Sequence, residues 1–139
     1  MPNHFHLLIK QTSDRAIEGF MRSLLTRYSV YFNKRYNRVG SLFQGPYKAV
    51  IIDNESYLLH LSRYIHLNPS EYTKNLLDTY SSYPEYLGKR NTVWVKPNTI
   101  LSFFNQSTKD FNRSVTTYQK FVENLEIDSD NLLGKLSID

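Results

Sequence analysis

Residues 3–10 read NHFHLLIK. Successive side chains of a strand point to opposite faces, so His4 and His6 share one face while Phe5, Leu7 and Ile9 line the other. The apolar face suits a core, and the alternation predicts a strand over 3–10. Its other face presents two imidazoles side by side, and imidazole is the commonest protein metal ligand near neutral pH. A His-x-His pair on a strand is also common as plain packing or surface. The choice between these readings depends on what else in the chain reaches the pair.

Outward from this strand, Thr12, Ser13 and Asp14 offer N-caps for a helix running to about Tyr36. Its apolar positions, Ile17, Phe20, Met21, Leu24, Leu25, Tyr28, Tyr31 and Phe32, form one stripe at helical spacing, which reads as core. Arg22, Arg27, Lys34 and Arg35 fall mostly off that stripe, toward solvent or a partner. Residues 37–45 form a loop punctuated by Gly40 and Gly45. The β-branched run YKAVII (47–52) predicts a second strand. Asp53 or Asn54 caps a helix over 55–67, with Leu58, Leu61 and Ile65 as its buried stripe and Pro69 as its stop. Residues 70–92 read as an irregular Tyr-rich connection, and 93–95 as a short strand or extended link. Helices are expected over 99–104 and 109–125, with a polar, frayed tail after residue 128. Two strands make a thin sheet, and an isolated ribbon is marginal in water. A further strand is therefore expected, from upstream or from a second copy of the chain.

The 139 residues are most simply one domain, with 40% hydrophobic and 22% charged residues as in ordinary globular proteins. The absence of cysteine excludes disulfides and cysteine-ligated zinc and suits a reducing cytoplasm. No apolar run approaches the roughly 20 residues needed to cross a bilayer, and the N-terminus lacks the pattern of a signal peptide. Net charge is +4, but its distribution is uneven. Between Lys10 and Lys48, eight basic residues face only Asp14 and Glu18, so that segment carries +6 and the remainder −2. A basic segment interleaved with aromatics is the footprint of a polyanion site, or else a solubilising helix face.

The helix over 55–67 contributes RYIHLNP, in which Tyr64 and Asn68 share a face at the helix end. Two imidazoles and the Asn68 amide oxygen make a three-ligand set for Mg²⁺ or Mn²⁺ with positions left open for a substrate oxygen. A tyrosine hydroxyl is a poor nucleophile at its ordinary pKa of about 10. It becomes competent when a phosphodiester is polarised and held in line. Each part also has a plain structural reading: Tyr64 as packing, Asn68 as a C-terminal cap. His60, one turn before Tyr64, reads as a neighbouring base, a DNA contact or neither, and His66 reads as solvent-facing.

MPNHFHLLI, then FNKRYNRVGSLFQGPYKAVIIDNESYLLHLSRYIHLNP, then YSSYPEYLG resemble, in the same order, the single-tyrosine HUH transposases, and within them the REP-associated tyrosine transposases. The resemblance implies an α+β, ferredoxin-like HUH nuclease domain with an antiparallel sheet and helices on one face. It implies cleavage and rejoining of single-stranded, hairpin-forming DNA through a 5′-phosphotyrosine. Carried over residue by residue, His4 and His6 are metal ligands, Tyr64 is the nucleophile and Asn68 the third ligand. DNA contacts are expected from Arg15, Arg22, Arg27, Lys34, Arg35, Arg38 and Lys48. Two departures stand out. Family members usually carry a first strand and helix before MPNH, so the chain reads as an N-terminally truncated HUH domain over 1–92. A helical extension over 93–139 packs on it, and a compensating homodimer is expected. Pro46 replaces a residue that is commonly basic, removing one phosphate contact. The alternative function is a catalytically defective remnant that binds DNA hairpins.

Overall fold

The computed structural model describes residues 4–104 and 111–124. Its helices are α1 (Ala16–Arg35), α2 (Glu55–Leu67), α3 (Tyr83–Tyr86), α4 (Asn98–Leu101) and α5 (Phe111–Glu123). Short 3₁₀ turns occupy Asn68–Glu71, Leu76–Asp78 and Ser102–Phe104. The chain divides into two compact units, one of Met1–His6 with Val50–Asp139 and one of Leu7–Ala49.

The antiparallel, ferredoxin-like sheet expected from the alternation is absent: the described residues contain no strand. Residues 4–10 and 47–53 carry no regular structure, and 93–94 form a turn closed by the Val95 N–H donating to the Thr92 carbonyl. Phe5, Leu7 and Ile9, the supposed core face, are 47%, 43% and 37% exposed. Alternation specifies which side chains share a face, but a strand exists only where a neighbour satisfies its backbone N–H and C=O groups. The expectation of a frayed tail after residue 128 lies outside the described residues, as does residue 3 of the anticipated first strand.

The unit of Leu7–Ala49 is dominated by α1. The three candidate side-chain caps are not used. Arg15 is the N-cap, in a left-handed conformation with φ 54°, and the Gln11 side chain instead accepts from the Ile17 N–H. Of the expected core stripe only Met21 is buried, while Phe20, Tyr28 and Tyr31 are 47%, 46% and 61% exposed.

The other unit is organised around α2. Its start was legible: the Asn54 side chain accepts from the Tyr57 N–H at 2.7 Å, satisfying one of the orphan donors of the first turn. The buried side differs from the predicted stripe. Tyr57, Ser62, Arg63 and His66 are buried, whereas Leu58, Leu61 and Ile65 are only partly covered. The connection over 70–92 is not irregular throughout, since it contains α3, and Tyr83 to Leu87 are all buried. Tyr83, Tyr86, Ile100, Leu101, Tyr118 and Val122 complete the core.

His66, expected in solvent, is 2% exposed at the centre of this core. Its ring lies 4.5 Å from Tyr86, 5.5 Å from Tyr83 and 5.9 Å from Tyr118, centroid to centroid. The hydrogen bonds around it run in one direction. Ser62 donates to the Leu59 carbonyl, and Tyr118 donates to Ser62 Oγ. The Tyr118 hydroxyl has spent its single proton, so His66 Nδ1–H donates to it at 2.7 Å, and His66 Nε2 accepts from Ser82 Oγ at 2.9 Å. That is a neutral imidazole with both nitrogens satisfied. Burial pushes its pKa from 6.5 down to about 4, against a weaker opposing pull from Glu85.

The unfolded chain therefore takes up a proton near pH 6.5 that the folded chain refuses. The stabilisation is complete above pH 6.5 and lost as pH falls toward 4. By pH 4.5 the loss should be about 2–3 kcal/mol. Urea unfolding at pH 7 and 4.5, compared with His66→Asn, checks this: the wild type should lose more stability than the variant, and equal losses would refute it.

Two polar anchors complete the unit. The buried Glu85 carboxylate takes two hydrogen bonds from Arg90, at 2.7 and 2.8 Å, and one from Thr92. The Arg90 guanidinium holds the Glu85 carboxyl below the usual carboxylate range. Arg63, 3% exposed, donates from Nε to the Phe121 carbonyl and from Nη2 to the Asn124 carbonyl, both at 2.8 Å. A cation on the last carbonyls of α5 satisfies orphan acceptors and complements the helix dipole. Arg63 thus ties α5 to α2 at the residue before Tyr64.

Candidate active site

Three of the expected site residues converge. The rings of His4 and His6 lie 5.1 Å apart, edge to face at 87°. The His6 ring is 5.5 Å from that of Tyr64, at 66°. The convergence is achieved without a strand. His4 is exposed, and His6 and Tyr64 are partly buried, so the phenol is held by packing on one side.

Asn68 is the C-cap of α2, and its backbone N–H donates to the Tyr64 carbonyl. Helix geometry continues through it into the Asn68–Glu71 turn, where Pro69 has no N–H to bond. Asn68 Oδ1 is buried and accepts no hydrogen bond. A buried acceptor left unsatisfied costs about 1–3 kcal/mol, and such a group is commonly explained by an ion or water. His60, one turn before Tyr64, packs edge-on to Phe121 at 5.8 Å, and its Nδ1 is likewise buried without a partner.

Among the described residues no group of three or more His, Cys, Asp or Glu is placed to hold a metal. A metal here would rest on two imidazoles and one neutral amide oxygen. The orphaned Asn68 Oδ1 fits that donor set: it is an acceptor awaiting a cation or a donor. Mixed nitrogen and oxygen ligation suits Mn²⁺, while Mg²⁺ prefers an all-oxygen shell.

The basic residues expected to contact DNA, Arg15, Arg22, Arg27, Lys34, Arg35, Arg38 and Lys48, are all exposed. Arg22 pairs with Glu18 at 2.8 Å across one helical turn, an exposed pair worth little. Arg35 lies over the Tyr36 ring and Arg38 over Phe32, at 5.9 and 5.6 Å. Sequence reasoning sorted α1 into an inward aromatic stripe and outward cations. In the structure Phe20, Tyr28 and Tyr31 are outward together with the cations, and the signal was available: Phe20, Arg27, Tyr31 and Lys34 follow one another at helical spacing. The reading also missed Arg63, whose role appears only once α5 is docked.

Residues 1–68 match the family of IS200-like transposases. The matched span holds His4, His6, Tyr64 and Asn68, and all of α1, and it ends on Asn68. The match to IS200-like transposases supports a DNA-handling transposase function for this region. No curated protein and no solved structure matches the chain. No helix among the described residues is long and apolar enough to cross a membrane.

Proposed function

We propose that the chain is a metal-dependent single-stranded DNA endonuclease and strand transferase of the single-tyrosine HUH type, with Tyr64 as nucleophile. The observation that carries this reading is the approach of His4, His6 and Tyr64, at 5.1 and 5.5 Å, inside the span that matches IS200-like transposases.

His4, His6 and Asn68 would hold Mg²⁺ or Mn²⁺, which when bound supplies neutralisation and orientation of the scissile phosphate. Tyr64 provides the chemistry. Its phenolic oxygen gives up its proton to solvent water and attacks phosphorus, forming an O–P bond. The P–O3′ bond breaks, and the departing 3′ oxygen takes up a proton to become a hydroxyl. The downstream strand is left as a 5′-phosphotyrosine, and the reverse steps with another 3′-hydroxyl rejoin DNA. Packing of Tyr64 beside His6 restricts its ring, so little orientation is lost on reaching the transition state.

The test is a denaturing gel with a hairpin-flanked single strand labelled at either end. With Mn²⁺ the 3′-label should migrate with the protein and the 5′-label should be released. Chelation, or replacement of both His4 and His6 by alanine, should lower adduct yield by about 100-fold or more. A metal-independent adduct, or one retaining the 5′-label, would refute the assignment. Hairpin binding with no adduct under any metal would favour the non-cleaving alternative.

A further inference from the structure

The exposed face of α1 is not absorbed by the nucleophile and its neighbours. At 3.6 residues per turn, Phe20, Arg27, Tyr28, Tyr31, Lys34 and Arg35 fall within about a third of the circumference of α1, so they lie on one side of the helix. All are exposed, with Tyr31 at 61%. Tyr31, Lys34 and Arg35 together line a shallow cavity. The Tyr28 and Tyr31 rings are 6.4 Å apart and tilted by 35°, so neither covers the face of the other. The only acid on α1, Glu18, is held by Arg22 away from this face.

We propose that this face is a stacking platform for unpaired nucleotides, with Tyr31 receiving a base and Lys34 and Arg35 the flanking phosphates. The choice of ligand rests on the DNA reading above, but the binding does not depend on cleavage. Bases offer π faces only when unpaired and unstacked, so exposed rings among cations favour a single strand over a duplex. A second copy is a poor occupant. A two-fold interface on this face would bring two copies of the Arg27, Lys34 and Arg35 cluster together, within a segment of net charge +6.

The test is fluorescence anisotropy of the full chain with an oligothymidine of about 16 nucleotides. Tyr31→Leu keeps helix propensity and apolar bulk but removes the ring, and should weaken binding about tenfold, while Tyr31→Phe stays within about twofold of wild type. Replacing Lys34 and Arg35 by glutamine should reduce the salt-dependence slope by about 1.4. A duplex of equal length should bind more weakly and ignore Tyr31→Leu. Unchanged affinity in Tyr31→Leu, an equal loss with duplex, or a dimer that Tyr31→Leu dissociates would each overturn the platform. Adduct yield separates the two proposals. Tyr31-dependent binding without any adduct leaves the platform standing and removes the nuclease. An adduct indifferent to Tyr31→Leu at subsaturating DNA does the reverse.

Discussion

Replacing Tyr64 with phenylalanine is expected to lower covalent adduct formation by about four orders of magnitude or more, with DNA affinity unchanged within about twofold. The substitution is conservative in every respect but one. The ring remains, so packing against His6 at 5.5 Å is retained. Tyr64 lies within α2, where phenylalanine and tyrosine have similar helix propensity. Only the oxygen that would attack phosphorus is lost. The neighbouring positions on the same helical face are His60, Leu61, Leu67 and Asn68, none of which carries a hydroxyl. No side chain from that face can take over, and water attack would release DNA rather than retain it. The denaturing gel therefore reads the nucleophile directly. Wild-type adduct levels in Tyr64→Phe would move the nucleophile elsewhere, whereas loss of binding together with adduct would mean that the fold had been damaged.

Replacing Tyr118 with alanine should cost about 4 kcal/mol or more, while phenylalanine at the same position should cost about 1–2 kcal/mol. Tyr118 has no exposed surface. Its ring meets His66, Tyr86, Phe104 and Phe121 at centroid distances of 5.2 to 6.2 Å. Its hydroxyl accepts from His66 and donates to Ser62. Alanine opens a cavity in a close-packed interior and leaves buried polar atoms unsatisfied. Phenylalanine keeps the cavity filled and loses only the hydrogen bonds. Against a total stability of about 5–15 kcal/mol for a small domain, the alanine variant is near the threshold of unfolding. Urea midpoints of the two variants check the ratio. Equal costs would mean that the ring contacts do not hold α5 against α2.

This second result bears on function although residue 118 lies beyond the span matching IS200-like transposases. Arg63 binds the carbonyls that end α5, and Tyr64 follows it directly. Loosening α5 frees the segment that carries the nucleophile. Tyr118→Ala should then lower adduct yield at temperatures where Tyr118→Phe remains active.

What was legible in the sequence was local. The existence of α1 and α2, the Asn54 cap and the end of α2 before Pro69 depend on spacing and on backbone chemistry within a few residues. The grouping of Tyr64 with Asn68 likewise needs only the pitch of a helix. The pairing of His4 with His6 was inferred from strand alternation; the two rings do meet, but in a segment that is not a strand.

Tertiary structure decided the rest, because each remaining choice hangs on a partner far along the chain. Alternation over 3–10 and 47–52 had no means of supplying the ladder partner that makes a strand. Apolar spacing on α1 marks a face without saying whether anything covers it. The partners of His66 lie 16 and 52 residues away, so no local rule distinguishes a solvent histidine from the one that joins α2 to α5. The sequence by itself determined where the two long helices α1 and α2 lie and which residues could share chemistry, while α3 went unread. Only the packed structure decided which faces are buried, since burial is a property of pairs of surfaces and the sequence around one surface carries no record of the other.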